Sequence, residues 1–398
     1  MTKICSLPWT HLATHPHGGC TLCCIADHAH GASRAKNYNG EGVKPTWLTL
    51  NQHSVDDIMN SDYYKEVRLQ MLAGQEPKSC TRCYDNERAG LHSKRQQENE
   101  RYLDSIQDQI ANTAPDGTIP VSFRFIELRL GNVCNLQCRT CNPASSSKWA
   151  KDYAHLEGKY DWVAKFGKVE RGQWFESDEF WQQLLERSHE LERIYVNGGE
   201  PTLVEKHFVY LEKLIKAGIN HNVELWYNIN LSQIPGKLID LWSKFKAVKV
   251  SASIDDLGAR NEYIRYGSNW DVTMKNLMLL KGLSWIDLGV MQTISAYSVP
   301  TLAEFYQFFG DKGIQVHLNW CYDPAYLSPW ILPHDVKQQA IKACKPVMPS
   351  WDYKNVEEHL NKVAEPYALE KFKLYTHELD QLRNEKFEDV FPELAKVI

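Results

Sequence analysis

Between residues 121 and 325, six short β-like runs alternate with helical patterns, and this alternation constrains the fold more than any other feature of the chain. The strand-like runs are residues 123–130, 193–196, 223–228, 247–254, 288–294 and 315–320. Helical patterns lie between them at 208–217, 238–245, 272–283 and 302–309. Parallel strands need a long crossover, usually a helix, whereas antiparallel neighbours can be joined by a tight hairpin. The spacing and the scarcity of hairpin signals therefore predict a parallel sheet with right-handed crossovers. Six units fall short of the usual eight of a closed barrel, so the expected fold is α/β, a partial (β/α)6 TIM-like barrel.

The flanks read differently. Residues 1–100 carry six cysteines, many His and Gly, and few long apolar runs, the pattern of a small metal-stapled domain. One helix is expected there near 55–73, where Ile58, Met59, Val67, Leu69 and Met71 suit a partly buried face. Residues 101–120 include the turn-rich Thr113-Ala-Pro-Asp-Gly-Thr and read as a linker, followed by the barrel at 121–325. Residues 326–398 read as helical, at 337–344, 356–363 and 369–383.

The eleven cysteines are clustered: Cys5, Cys20, Cys23 and Cys24, then Cys80 and Cys83, then Cys134, Cys138 and Cys141, with Cys321 and Cys344 alone. No run of 18 apolar residues marks a membrane span, and the N-terminus lacks the apolar core of a secretory signal. The expected location is cytoplasmic, where thiols stay reduced and clustered cysteines point to metal or redox chemistry rather than disulfides. The net charge of −5 argues against non-specific nucleic-acid binding. Neither nucleic acid nor membrane is expected as a partner.

Gly131-Asn-Val-Cys134-Asn-Leu-Gln-Cys138-Arg-Thr-Cys141 follows the first strand-like run of the barrel. Loops at the C-terminal ends of parallel strands are where such folds place their active sites. Iron–sulfur clusters normally take four thiolates, so three leave one iron open to a cofactor or substrate. The alternative is a zinc site, which needs a fourth ligand nearby. No Cys or His lies between 141 and 155.

This loop resembles that of the radical S-adenosylmethionine (SAM) superfamily. The resemblance implies a [4Fe–4S] cluster on Cys134, Cys138 and Cys141, whose open iron chelates SAM. Reductive cleavage then yields a 5′-deoxyadenosyl radical that abstracts a hydrogen atom from a peptide or small-molecule substrate, with a flavodoxin or ferredoxin as electron donor. Gly198-Gly199-Glu200-Pro201, at the end of the second strand, is similar to the family segment that receives the SAM amino group. Its glycines suit close backbone approach, and its carboxylate suits an ammonium. Asn230 resembles the third-strand Asn near the ribose and carboxylate; a turn or capping role is the other reading. Ser253, in a Ser-Ile-Asp segment, is similar to the SAM-contacting serine, or it is a strand-end cap. Arg265 resembles the arginine that meets the SAM carboxylate, or it forms a surface ion pair. Thr140 departs from the pattern, because an aromatic residue often precedes the third cysteine.

The N-terminal region resembles the SPASM/Twitch auxiliary-cluster domains. The matching features are Cys5-Ser-Leu-Pro-Trp, a Gly-containing turn leading to Cys23-Cys24, and the stretch from Leu72 to Cys80-Thr-Arg-Cys83. The resemblance implies a second, auxiliary [4Fe–4S] cluster on Cys5, Cys23, Cys80 and Cys83, which accepts the electron left after hydrogen abstraction or binds substrate, four cysteine ligands favouring the electron-transfer role. Four ligands suit the shorter Twitch form, and only Cys20 and Cys24 are left over. This domain precedes the barrel, where the family usually places it after. Zinc remains the alternative, since four thiolates suit either metal. A non-catalytic zinc scaffold is accordingly the second functional reading, though such a scaffold has no reason to carry the Gly-Gly-Glu-Pro and Ser-Ile-Asp segments.

His11, His15 and His17, among the N-terminal cysteines, read either as ligands or pocket acids or as exposed loop residues, and no role is assigned to them. Cys321 is either a hydrogen-atom donor at the barrel mouth or an inert buried thiol. Cys344 reads as structural. Trp320, Tyr322, Tyr326 and Trp330 line a pocket or dock the C-terminal helices, the second reading being the stronger.

Overall fold

The computed structural model describes residues 3–26, 33–164 and 173–398. Among them ten strands form: β1 (His11–Thr14), β2 (Cys20–Thr21), β3 (Lys36–Asn37), β4 (Thr46–Trp47), β5 (Phe125–Arg129), β6 (Arg193–Asn197), β7 (Glu224–Ile229), β8 (Ala247–Ser253), β9 (Ile286–Ile294) and β10 (Gln315–Trp320). Eight of them make one sheet in the order β10-β9-β8-β7-β6-β5-β1-β2, while β3 and β4 pair antiparallel by themselves. The six expected strands are β5 to β10. The helices Glu205–Lys216, Gly236–Trp242, Trp270–Lys281 and Leu302–Gly310 fall between them. This is the expected α/β architecture of a partial barrel, with two further strands at one edge. No helix among the described residues is long and apolar enough to cross a membrane.

The chain divides into two compact units. The first comprises residues 1–133, 169–227 and 236–248, and the second 134–168, 228–235 and 249–398.

In the first unit, β1 runs parallel to β5, with His11 opposite Phe125, and β2 turns back antiparallel against β1. All four residues of β1 are buried, so the strand shows no alternation to read. Strand β5 pairs parallel with β6, and β6 with β7. The expected helix over 55–73 is two helices, Val55–Met59 and Asp62–Leu72. The break has a physical cause. Fully buried Arg68 donates to Met59 O at 2.9 Å and to Asn60 Oδ1 at 3.2 Å, and it also reaches Pro8 O and Gly117 O. A buried guanidinium needs such acceptors, and the interrupted helix supplies two of them.

The exposed-loop reading of the histidines fails here. His11 is fully buried in β1, and His15 and His17 are half-buried. The His11 ring stacks on Phe125 with centroids 4.1 Å apart, and Nδ1 lies 3.0 Å from Phe125 O. Burial lowers the His11 pKa to about 3, and does the same for His207. Both folded values lie below the unfolded one, so the unfolded chain binds protons that the folded chain does not. The stability these neutral rings contribute is present above about pH 6.5 and is lost as pH falls toward 3, at about 1.4 kcal/mol per pH unit for each histidine. Urea unfolding between pH 7 and pH 5 should show this loss, and His11→Gln should flatten the slope by one proton. An unchanged slope would refute the assignment.

In the second unit, β10 runs parallel to β9 from Gln315 opposite Gly289 to Trp320 opposite Ile294. The C-terminal helices are His334–Cys344, Ser350–Leu360 and Ala368–Arg383, followed by the short Phe387–Val390 and Pro392–Ala395. Trp320 stacks on His359 at 4.3 Å and donates to Asn355 Oδ1 at 2.7 Å, so this aromatic docks a C-terminal helix.

Candidate functional site

The three-cysteine loop belongs to the second unit and is held by its backbone. Gln137 N donates to Tyr266 O at 2.9 Å and Arg139 N to Ile264 O at 2.6 Å. The Trp149 indole donates to Cys138 O at 3.0 Å, and Ser146 Oγ to Leu136 O at 2.6 Å. Cys138 is buried, and Cys134 and Cys141 are half-buried. Burial pushes the Cys138 thiol up to about 11 and the Cys141 thiol up to about 12. Neighbouring thiols of the same loop add to both, while the Arg265 charge opposes them. Cys138 and Cys141, desolvated side by side, ionise together only if a positive group joins them, and a metal centre is such a group.

The C-terminal helix ties this loop down. Arg139, between the second and third cysteines, is fully buried. Its Nη2 donates to Asp380 Oδ1 at 2.6 Å and to Glu385 Oε2 at 2.8 Å. Its guanidinium lies 3.6 Å from the Tyr263 ring centroid. Tyr263 donates to the same Asp380 oxygen at 2.7 Å, and Tyr375 donates to Arg139 O at 2.7 Å. Arg383 pairs with Asp152 at 3.1 Å and stacks over Trp149 and Tyr266. None of these partners was legible in the sequence.

Of the SAM-site candidates, Asn230, Ser253 and Arg265 lie in the second unit. Asn230 Nδ2 donates to Asn135 Oδ1 at 2.9 Å, and its Oδ1 accepts from Ser232 N at 2.9 Å. Asn230 thus steadies the residue after Cys134. The next residue, buried Leu231, has a φ of 59°, a left-handed conformation that is uncommon outside glycine. Ser253 is half-buried at the end of β8. Arg265 donates to Asp255 Oδ2 at 3.0 Å, and fully buried Asp255 also accepts from Thr293 N at 2.8 Å. Arg265 is therefore in a buried ion pair, not a surface one. Asp255 was missed as its partner, although it stands in the Ser-Ile-Asp segment.

Gly198 to Pro201 lie in the first unit, against the backbone that leads into the cysteine loop. A Cβ on Gly198, whose φ is +123°, would lie 2.7 Å from Leu130 N; one on Gly199 would lie 2.2 Å from Val133 O. Gly199 N donates to Gly131 O at 3.2 Å and Glu200 N to Val133 O at 2.7 Å. The close approach that these glycines permit is of backbone to backbone. Glu200 is buried, and its Oε1 accepts from Thr202 N and Oγ1 at 3.1 and 2.8 Å. Pro201 opens the 3-10 turn Pro201–Leu203.

The first unit also brings Cys5, Cys23, Cys80 and Cys83 to the wall of one pocket, with Lys94 and Arg95 beside them. The turn Lys78–Cys80 feeds directly into the helix Thr81–Arg88, which sets Cys80 and Cys83 one turn apart. Burial and neighbouring thiols push Cys5 and Cys23 well up, and Cys80 up to about 12. Arg95 pairs with Glu87 and donates to Ile4 O at 2.7 Å, leaving its charge near Cys5 and Cys80. Among the described residues no three His, Cys, Asp or Glu side chains close on a point as a single metal ion requires, so these sulfurs share a pocket rather than a formed coordination shell. Cys20 is buried in β2 and Cys24 half-buried, and neither lines the pocket. Cys321 is buried after β10 with Sγ 3.8 Å from Asp323 O, and Cys344 is fully buried in the core.

No curated protein matches the chain. Several solved structures resemble it weakly, two of which follow. With anSMEcpe with bound AdoMet it shares 18% identity over 62% of each chain, with a TM-score of 0.41. With Streptococcus suis SuiB bound to S-adenosylmethionine it shares 12% identity over 86% of this chain and 66% of that one, with a TM-score of 0.33. The chain thus spans less than two thirds of the first structure's length. Residues 5–84 match the SPASM family model, described as an iron-sulfur cluster-binding domain. The stretch that gathers Cys5, Cys23, Cys80 and Cys83 is therefore similar to the SPASM iron–sulfur domains, in agreement with the resemblance noted from the sequence.

Proposed function

We propose that the chain is a radical SAM enzyme with two [4Fe–4S] clusters, one on Cys134, Cys138 and Cys141 and an auxiliary one on Cys5, Cys23, Cys80 and Cys83. The observation that carries this reading is the pocket lined by four cysteines inside the segment that matches an iron–sulfur domain. The donor sets fit the group, because both are thiols in desolvated surroundings with a guanidinium nearby. When bound, the three-cysteine cluster supplies an open iron for SAM and the electron for its reductive cleavage.

The chain's own residues prepare that site. Arg265, oriented by Asp255, keeps a positive charge beside Cys138 and eases its ionisation. Asn230 fixes Asn135, and the amides of Gly199 and Glu200 fix the carbonyls of Gly131 and Val133, so the loop is anchored just before and just after Cys134. Arg95 offsets charge at the auxiliary thiols. In this reading Gly198, Gly199, Glu200 and Pro201 serve the SAM amino end, and Asn230, Ser253 and Arg265 its ribose and carboxylate. The substrate is a peptide or a small molecule that loses a hydrogen atom, and the electron donor is of the flavodoxin or ferredoxin type.

Iron and sulfide analysis with EPR after anaerobic reconstitution tests this. The wild type should hold about eight irons, and a Cys134/Cys138/Cys141→Ala triple variant about four, with 5′-deoxyadenosine formed by the wild type alone. Zinc with negligible iron would overturn the reading in favour of a scaffold.

A further inference from the structure

One cavity of the second unit borders the three-cysteine loop at Cys141 and has so far been given no role. It measures about 230 Å³ and is bounded by Cys141, Trp162, Asp323, Tyr326, Glu365 and Lys371 among others. Pockets that enclose a whole drug-sized ligand run to roughly 300–1,000 Å³. This one suits a single side chain or a small headgroup.

Its walls form a corner of aromatic rings. Trp162 meets Tyr326 edge-on, with centroids 4.9 Å apart and planes at 75°. Tyr326 meets Tyr375, another lining residue, at 5.2 Å and 51°. Ring faces carry negative potential and attract an ammonium or guanidinium laid over them. The charged lining adds to this, with two carboxylates, Asp323 and Glu365, against one ammonium, Lys371. None of the three is engaged in an ion pair among the described residues. The Asp323 charge also reaches the Tyr153 and Tyr326 hydroxyls on the cavity wall, helping burial to hold them protonated.

We propose that this cavity is a substrate subsite for one organic cation, an alkylammonium or guanidinium group, held beside Cys141. It rests on the reading of Cys141 as a cluster ligand and names the substrate class for that site. The cation belongs either to a lysine or arginine side chain of a peptide or to a free small amine.

The test titrates the full chain, before and after anaerobic reconstitution, with N-acetyl-lysine methylamide, its norleucine and glutamate counterparts, and n-butylammonium. The lysine probe should bind about tenfold or more tighter than the norleucine probe, and the glutamate probe more weakly than either. The double variant Asp323→Asn/Glu365→Gln alters exposed side chains and should erase that preference, whereas Lys371→Met should enlarge it. Butylammonium binding as well as the lysine probe identifies a free amine as the source, and a clear advantage of the lysine probe identifies a peptide. Equal binding of lysine and norleucine probes, or competition between SAM and the lysine probe, would overturn the proposal. Iron is measured on the same samples. A cation preference without the three-cysteine cluster would therefore refute the proposed function alone, and a full cluster complement without the preference would refute this subsite alone.

Discussion

Replacing Arg139 by methionine is expected to destabilise the second unit by about 3–5 kcal/mol, the usual cost of removing one partner from a buried ion pair. Two carboxylates converge on this guanidinium, and burial already pushes the pKa of one of them, Glu385, upward. Without Arg139, Asp380 still accepts from Tyr263 Oη and from Phe387 N, both at 2.7 Å, but it loses its ion-pair partner, and no other cation pairs with it among the described residues. Methionine keeps apolar contact with the Tyr263 face, so the loss is chiefly electrostatic and not a cavity. The double variant Arg139→Met/Asp380→Asn should recover part of the stability, because the stranded charge goes with its partner. The consequence reaches function because Arg139 stands between Cys138 and Cys141. Reconstituted Arg139→Met should lose iron from the three-cysteine loop while the auxiliary site keeps its own, moving the total from about eight toward about four. Unfolding in urea followed by circular dichroism, with iron counted on the same samples, checks both statements. An unfolding midpoint and iron content equal to wild type would show that the C-terminal helix merely covers the loop.

That clamp marks where sequence reading stopped. Strands β5 to β10 were legible because each is a short run rich in β-branched and aromatic residues, separated from the next by helical spacing. Cys134, Cys138 and Cys141, and the pair Cys80 and Cys83, were legible because they sit at short separations along the chain, whereas Cys5 and Cys23 joined that pair only through the family resemblance. Arg139 and Asp380 are 241 residues apart, and no local pattern announces such a pair. Asp255 was in plain view beside Ser253, yet its role depends on Arg265 folding back onto it, which only the helix Gly258–Ile264 between them sets up. Strand β1 was missed for the opposite reason. Its four residues include a histidine and a threonine at its two ends, a composition that reads as loop until pairing with β5 buries all of it. The interruption at Asn60 and Ser61 had a local signal, a Ser-Asp helix start, but the helical spacing of apolar residues ran on across it.

Gly199→Ala is the sharpest separation between a glycine kept for a ligand and one kept for the fold. Gly199 has no left-handed backbone to protect, so an alanine there is a question of space alone. Its Cβ would stand 2.2 Å from Val133 O and 2.7 Å from Val133 C, both main-chain atoms that cannot swing aside. Relief requires the 198–201 turn and the 131–133 segment to part, which breaks the bonds from Gly199 N and Glu200 N to Gly131 O and Val133 O. Overpacking costs about 1–3 kcal/mol, and each lost buried hydrogen bond adds about 1 kcal/mol, so a destabilisation of about 3–5 kcal/mol is expected. Gly236→Ala is the control. It opens the helix Gly236–Trp242 with nothing within 4 Å of the added methyl, so it should leave stability unchanged or raise it by about 0.4–1 kcal/mol. Denaturant unfolding of the two variants decides the matter. If Gly199→Ala unfolds like wild type and only weakens SAM binding, the glycine serves the cofactor directly. If it unfolds early, before any ligand is added, its first duty is to let one strand-end turn lie flat on the backbone that delivers Cys134, and any effect on SAM follows from that.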